Sequence, residues 1–511
     1  MRNPGKINDA QSFCFTFGTT ILGVLIGHRE PTGSRTISAI DPSSGQARRE
    51  VLTLSLSLSG SASHSSKVTN GESLASLDPG VYVCRSLETA TCAVLKKNCI
   101  IFKKTSKRNM YPVNPLDRRR FLKTAAATSC AAAASIAWSL PRPLHKSAAY
   151  QLVANTDRER ILSAADSYLK QTPLTITAFP TNRSAGGLHD FYSQADYFWP
   201  NPKDPNGPYV NRDGQSNPDN FGDHRKVMIA LSIQMPALTA AWLLTKDKRY
   251  GERACDHLRA WFVNPETRMN PNLMYSQAIQ GVSTGRSIGI IDTLHLVEVA
   301  RAASLLTPDI FSAHDSDAVK AWFTSYLDWL CNSDRGKAER DTANNHAMCW
   351  ALQAAEFARL VGNDETRNDV YRRYREILLP GQLSIDGSFP KELTRTKPYS
   401  YSIFNFDVMA GLCQSLLGLS PDPTSFQLPD GRGLCKAAEF IYPYLKDKST
   451  WKWAKDIEHF DALPVRSPGL LFSGIACHEQ KYFDLWTTLN PDPTDREVIR
   501  NYPIRQPLLW V

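Results

Sequence analysis

Between residues 227 and 489, apolar side chains recur at three- and four-residue spacing, the pattern of helices that bury one face. The segments are 227–245, 249–262, 288–306, 316–331, 345–361, 365–379, 404–417, 433–445 and 478–489. Breakers lie between them: Asn264-Pro265, Thr307-Pro308-Asp309, Gly362-Asn363-Asp364 and Ser420-Pro421-Asp422-Pro423. Alternating period-two runs bounded by hairpin turns are nearly absent. Successive antiparallel helix pairs without a fixed-length repeat predict an all-α fold, an (α/α) toroid that forms an incomplete barrel, rather than a repeat solenoid.

The beginning of the chain reads differently. Residues 1–109 hold Ser/Thr-rich runs such as 52–66, scattered cysteines and no sustained amphipathic pattern, as expected of a disordered or non-native extension. Downstream, Asp117-Arg-Arg-Arg-Phe-Leu-Lys precedes a weakly apolar, alanine-rich stretch ending at Trp138. Paired arginines followed by such a stretch make a twin-arginine export signal. A signal of this kind belongs near a true N-terminus, so translation is expected to start at Met110. Residues 110–147 then form the signal and 148–511 the mature helical domain, in the periplasm or secreted. The alanine-rich stretch is short for a transmembrane span, so no stable membrane insertion is expected once the signal is removed.

Composition narrows the choice only a little. The 511 residues carry a formal charge of +9, which favours an acidic partner. Nothing beyond that charge speaks for nucleic acid. The eleven cysteines include no CxxC pair, which argues against a thiolate zinc site or a dense disulfide framework. No metal and no cofactor are called for.

Candidate chemistry lies in four interhelical stretches. The first, 190–215, offers Tyr192, Tyr197 and Trp199 as stacking faces for sugar rings and Arg212 as a fork for a carboxylate. The second, 268–286, sets Asn270, Asn272, Tyr275 and Gln277 ahead of Arg286, the most plausible charge for a substrate carboxylate. In the third, Asn344-Asn345-His346, Asn344 can cap the following helix while Asn345 and His346 lie in its electropositive first turn. The fourth runs from Asp386 through Glu392 and Arg395 to Tyr399 and Tyr401, just before the next helix. An arginine near a tyrosine favours the phenolate.

These residue types suit β-elimination from a uronate. Such a reaction needs a neutraliser for the carboxylate, a base for the carbon-5 proton and an acid for the carbon-4 oxygen. Asn345 and an arginine can supply the first; Tyr401 or His346 can supply the others. In mannuronate and glucuronate the proton and the leaving oxygen share one face, so a single tyrosine can serve both. Asp196, Asp213, Asp386 and Glu392 leave a helical-toroid glycoside hydrolase as an alternative, and a non-catalytic acidic-glycan-binding protein is another.

Taken together, Tyr-Ser-Gln-Ala-Asp-Tyr-Phe-Trp-Pro-Asn-Pro, Arg-Met-Asn-Pro-Asn-Leu, Asn-Asn-His, Glu-Leu-Thr-Arg-Thr-Lys followed by Tyr-Ser-Ile-Phe-Asn, and the closing Ile499-Arg-Asn-Tyr-Pro-Ile-Arg-Gln-Pro resemble the alginate lyase-like superfamily of helical toroid polysaccharide lyases. Within it, they are most similar to the branch with glucuronan and polymannuronate lyases. The resemblance runs from about Asp190 to Val511. It implies an acidic polysaccharide substrate, with Asn345 neutralising the carboxylate and His346 and Arg395 positioning it and stabilising charge. It also implies Tyr401 as catalytic tyrosine, because that residue directly precedes Ser-Ile-Phe-Asn. Pro398-Tyr399 departs from the family pattern, and Tyr399 is assigned to substrate binding or packing.

Overall fold

The computed structural model describes residues 147–511 and, in addition, the backbone of four strands near the beginning. Those strands, β1 (Gln11–Phe17), β2 (Thr20–Arg29), β3 (Arg35–Ile40) and β4 (Ala47–Arg48), pair antiparallel in sequence order. They belong to a separate unit, Met1–Ser139. The proposed start at Met110 and the export signal lie outside the described residues.

The second unit is built from helices in two layers. After α1 (Ala148–Tyr168), inner and outer helices alternate along the chain. The inner layer consists of α2 (Asp223–Thr245), α4 (Leu296–Ala303), α7 (Asn345–Val361), α9 (Pro398–Ser415) and α11 (Pro468–Cys477). Each packs against the next in that order. The outer layer consists of α3 (Lys248–Leu258), α5 (Ala313–Asn332), α8 (Asp364–Arg373), α10 (Leu434–Lys446) and α12 (Gln480–Thr488). Two short helices, α6 (Asp334–Arg340) and α13 (Arg496–Arg500), precede α7 and the C-terminal segment.

Burial explains why the two layers have different sequences. Outer helices keep a polar face, and in α8 only Val370 and Tyr371 are buried. Inner helices are surrounded, and every residue of α9 is buried. The apolar α2 has the length and composition of a membrane span, yet it is mostly buried inside this unit. An all-round apolar helix in a large core has the same composition.

The chain end closes the arc. Buried Glu298 of α4 accepts the backbone N–H groups of Arg505 (2.9 Å) and Gln506 (2.7 Å), while the Arg301 guanidinium stacks 4.2 Å from the Trp510 ring. A disulfide, Cys435–Cys477, ties the start of α10 to the end of α11. Scattered cysteine spacing gave no sign of that pair.

Two small ladders order the loops on one side of the helices. Strand β5 (Tyr192–Gln194) pairs parallel with β8 (Tyr275–Ala278), so the first and second chemistry-bearing stretches lie together. Strands β6 (Phe198–Trp199) and β7 (Val210–Asn211) pair antiparallel, folding the first stretch back on itself.

Candidate active site

Helix α7 begins as its sequence suggests. The Asn344 side chain caps it by accepting the His346 N–H, and Gly362 ends it in the left-handed region (φ 74°). Asn345 and His346 are thereby held in the first turn. Each is then fixed by a buried carboxylate. Glu392 accepts the Asn345 backbone N–H at 2.8 Å and its side-chain Nδ2 at 2.7 Å. Glu339 lies 2.6 Å from His346 Nδ1. A carboxylate there makes Nδ1 the protonated nitrogen and leaves Nε2 for a ligand. Burial raises the Glu392 carboxyl, against the pull of the Asn345 hydrogen bonds.

Helix α9 starts six residues before the expected 404, at Pro398 in its first turn. Asp456 accepts the Tyr399 and Ser400 N–H groups at 2.8 and 2.9 Å, satisfying the free amides of that turn. Tyr401 is therefore helical and rigidly held. Its hydroxyl lies 2.9 Å from that of Tyr197, and the Arg395 guanidinium lies 4.5 Å over its ring. Burial and the Tyr197 neighbour raise the Tyr401 phenol, while Lys397 and Arg395 draw it down; the net direction is up.

Behind the tyrosines stands a charged lattice. Tyr197 donates to Glu497 (3.1 Å) and accepts from Arg500 (3.0 Å). Glu497 also takes Lys397 Nζ at 2.7 Å and Arg500 at 2.6 Å. Burial opposes its charge, but Arg500 and Lys397 outweigh that and hold the carboxyl far below its ordinary range. Asp196 bridges Arg225 (2.6 Å) and Arg500 (2.8 Å).

Both sets of groups face one cleft of about 370 Å³, which Asn345, His346, Arg395, Tyr401, Gln277 and Arg286 all help to line. Arg395 is neutralised by Asp213 at 2.9 Å. Arg286 has no ion pair among the described residues; Gln277 holds it through its backbone carbonyl (3.2 Å) and Oε1 (2.8 Å). Gln277 itself has a positive φ of 46°, a cost that the surrounding contacts sustain. Burial lowers the Arg286 pKa. The cleft thus holds one half-buried cation, Arg286, that is bound by an amide rather than by an ion pair.

A family model, described as alginate lyase, matches residues 175–451, more than half of the chain. The chain belongs to the alginate lyase family. It is a polysaccharide lyase of the helical toroid type. A solved alginate lyase from Bacteroides ovatus is 28% identical, covering 70% of this chain and 94% of that one with a TM-score of 0.62. A structure of alginate lyase A1-III complexed with tetrasaccharide is 14% identical, covering 69% of this chain and 94% of that one, with a TM-score of 0.43. No curated protein matches.

The lyase brings Tyr401, His346, Asn345, Arg395, Tyr197, Gln277 and Arg286 together, and it leaves Tyr192, Trp199, Arg212, Asn272, Tyr275 and Tyr399 out of the cleft lining. Tyr399, expected to bind substrate, is fully buried and donates to the Tyr444 carbonyl at 2.8 Å. Tyr192 packs in the core against Phe221 instead of offering a stacking face. Trp199 and Arg212 stack on each other at 5.0 Å, outside the cleft lining. Asn272 accepts the Met274 N–H as a turn residue, and Tyr275 packs on Gly186. Of the acids of the hydrolase alternative, Asp196 and Asp213 also line the cleft, and all four are already engaged. Asp196 and Asp213 sit on arginines, Glu392 holds Asn345, and Asp386 accepts the amide and hydroxyl of Ser388. Sequence reasoning missed Glu497 and Glu339 and gave no role to Arg500 and Lys397, which stand in the quoted motifs, because their partners lie in distant or unremarkable positions. No group of three or more metal-binding side chains occurs among the described residues.

Proposed function

We propose that this lyase cleaves β-1,4-linked polymannuronate or glucuronan by syn β-elimination, with Tyr401 as both base and acid. The observation that carries the reading is the placement of Arg286, a cation with no ion pair among the described residues, in the same cleft as Asn345, His346 and Tyr401. A uronate carboxylate entering the cleft finds Arg286 held by Gln277 and not ion-paired with any carboxylate of the described residues. The Asn345 amide is available as a donor beside the carboxyl that becomes enolate-like, and His346 Nε2 joins it as a donor when the ring carries both protons. Arg395 serves the tyrosine more than the substrate, since Asp213 neutralises it and its plane covers the Tyr401 ring. As the carbon-5 C–H bond breaks, its electron pair forms the double bond to carbon 4. The Tyr401 phenolate takes the carbon-5 proton, and the carbon-4 oxygen leaves with the electron pair of the broken C–O bond and receives that proton from Tyr401.

Incubation with defined polymannuronate, polyguluronate and glucuronan tests the substrate class. Near-ultraviolet absorbance should rise with the first or the last and stay flat with polyguluronate, whose geometry needs two separate groups. Preference for polyguluronate would overturn the single-tyrosine scheme.

We also infer that the protein is exported by the twin-arginine route to the periplasm or beyond. The Cys435–Cys477 disulfide supports this, because such bonds persist in oxidising compartments. Fractionation of cells expressing the full chain, compared with an Arg118→Lys/Arg119→Lys/Arg120→Lys variant, checks it. Equal distribution of both forms would contradict export through that signal.

A further inference from the structure

Tyr197 has one hydroxyl hydrogen and three polar neighbours. Arg500 can only donate to it, at 3.0 Å, and ionised Glu497 can only accept from it, at 3.1 Å. The third neighbour, the Tyr401 hydroxyl at 2.9 Å, can do either. While Tyr401 is a neutral phenol it donates to Tyr197, and every lone pair and hydrogen on the Tyr197 oxygen is used. If Tyr401 loses its proton, that bond has no hydrogen unless Tyr197 supplies one. Glu497 can release it without being orphaned, because Lys397 at 2.7 Å and Arg500 at 2.6 Å remain on the same oxygen.

We propose that Tyr197 is a positioning residue for the elimination, whose hydroxyl hydrogen turns from Glu497 to the Tyr401 oxygen when that oxygen is a phenolate. The inference rests on Tyr401 being the base. It replaces the stacking role suggested by sequence, since the Tyr197 ring lies under Lys397 at 5.1 Å and near Arg500 at 5.8 Å. The swing also explains why a phenol made less acidic by burial can serve as base. Its anion receives a hydrogen bond from Tyr197 and faces the cations Arg395 and Lys397. The charged groups around the pair are Arg395, Lys397, Arg500, Glu497 and Asp196, with Asp213 behind Arg395. The proton does not travel on to Glu497, because the two cations on that carboxylate keep it ionised. Tyr197 is a switch for a hydrogen bond and not a relay.

The test is the pH dependence of kcat/KM, on mannuronan and glucuronan oligomers, for the wild type, Tyr197→Phe and Tyr401→Phe. A hydrogen bond to a charged group is worth enough to shift the phenol by roughly 1–2 pH units, so the rising limb of Tyr197→Phe should move up by about that amount. At neutral pH kcat should fall by roughly 10–100-fold with KM nearly unchanged. Introducing 3-fluorotyrosine at 401 into the Tyr197→Phe background, which makes the phenol more acidic, should move the limb back and recover part of the rate. A raised KM with an unmoved limb would make Tyr197 a sugar platform and overturn the proposal. An unchanged limb and rate, or absence of fluorotyrosine rescue in folded protein, would also overturn it. Full activity in Tyr401→Phe would instead remove the catalytic tyrosine on which the inference rests.

Discussion

The two sides of the cleft are prepared by opposite means. On the α7 side, Asn345 and His346 are fixed by two buried carboxylates, Glu392 and Glu339, each of which touches a group that can face the substrate. On the α9 side, Tyr401 and Tyr197 are surrounded by Arg395, Lys397 and Arg500, with Glu497 as the anion that ties the lattice together. In the proposed reaction, carboxylates fix the groups that meet a negatively charged sugar, and cations ease the formation of a phenolate. A change on the first side leaves a buried carboxylate without its partner, which costs stability as well as rate. A change on the second can remove one hydroxyl and leave the lattice intact. On the proposed mechanism, the difference separates residues that organise the site from the residue that transfers the proton.

The largest effect should come from Tyr401→Phe, which keeps the ring and its packing and removes the ionisable atom. Activity should fall by a factor on the order of 10²–10⁴. The melting temperature should barely move, and both are read from ultraviolet product assays and thermal unfolding. Asn345→Ala should lose roughly 10²–10³ in kcat, as for removal of one donor to developing charge. Unlike the tyrosine change, it should also destabilise the protein by about 1–3 kcal/mol, because Glu392 loses its side-chain donor inside the protein. If both variants kept full stability, the contrast between the two sides would fail.

A smaller effect is expected where the cleft recognises charge. Gln277→Glu would give Arg286 an internal carboxylate and raise KM by roughly 10–100-fold, the value of one charge-assisted hydrogen bond, with kcat less affected. A fall in kcat at unchanged KM would place Arg286 outside substrate binding. The smallest effect belongs to Tyr399→Phe. It removes the bond to the Tyr444 carbonyl, costing about 0.5–1.5 kcal/mol of stability while turnover stays near wild type.

Tyr399 and Tyr401 also mark how far the sequence could be read. Both stand in one polar, aromatic run, and composition does not say which points inward. The answer comes from α9, whose burial on every side leaves no amphipathic pattern to set its start or its facing. Outer helices were legible because solvent imposes a polar face, and α7 was legible at both ends through Asn344 and Gly362. Helix α1 escaped notice because its buried positions include Asp157 and sit among polar residues. The Asn345, His346, Arg395 and Tyr401 set could be named in advance from its ordered motifs. The lattice behind it could not, since Glu497 reaches Lys397 across 100 residues and Arg500 reaches Tyr197 across 303. Ion pairs of that span leave no local pattern. Arg286 was legible as a charge, but its lack of an acidic partner emerges only from the folded packing around Gln277.

The most direct measurement is a crystal structure of the Tyr401→Phe variant soaked with a mannuronate oligosaccharide. The sugar carboxylate should lie against Arg286 and Asn345, with carbon 5 facing the ring at 401. Modelling the missing hydroxyl should bring its oxygen to roughly 3–3.5 Å from carbon 5, a distance suited to proton transfer. A carboxylate bound away from Arg286 and Asn345, or a carbon-5 hydrogen directed at His346 with residue 401 remote from it, would contradict the division of labour between the two sides of the cleft.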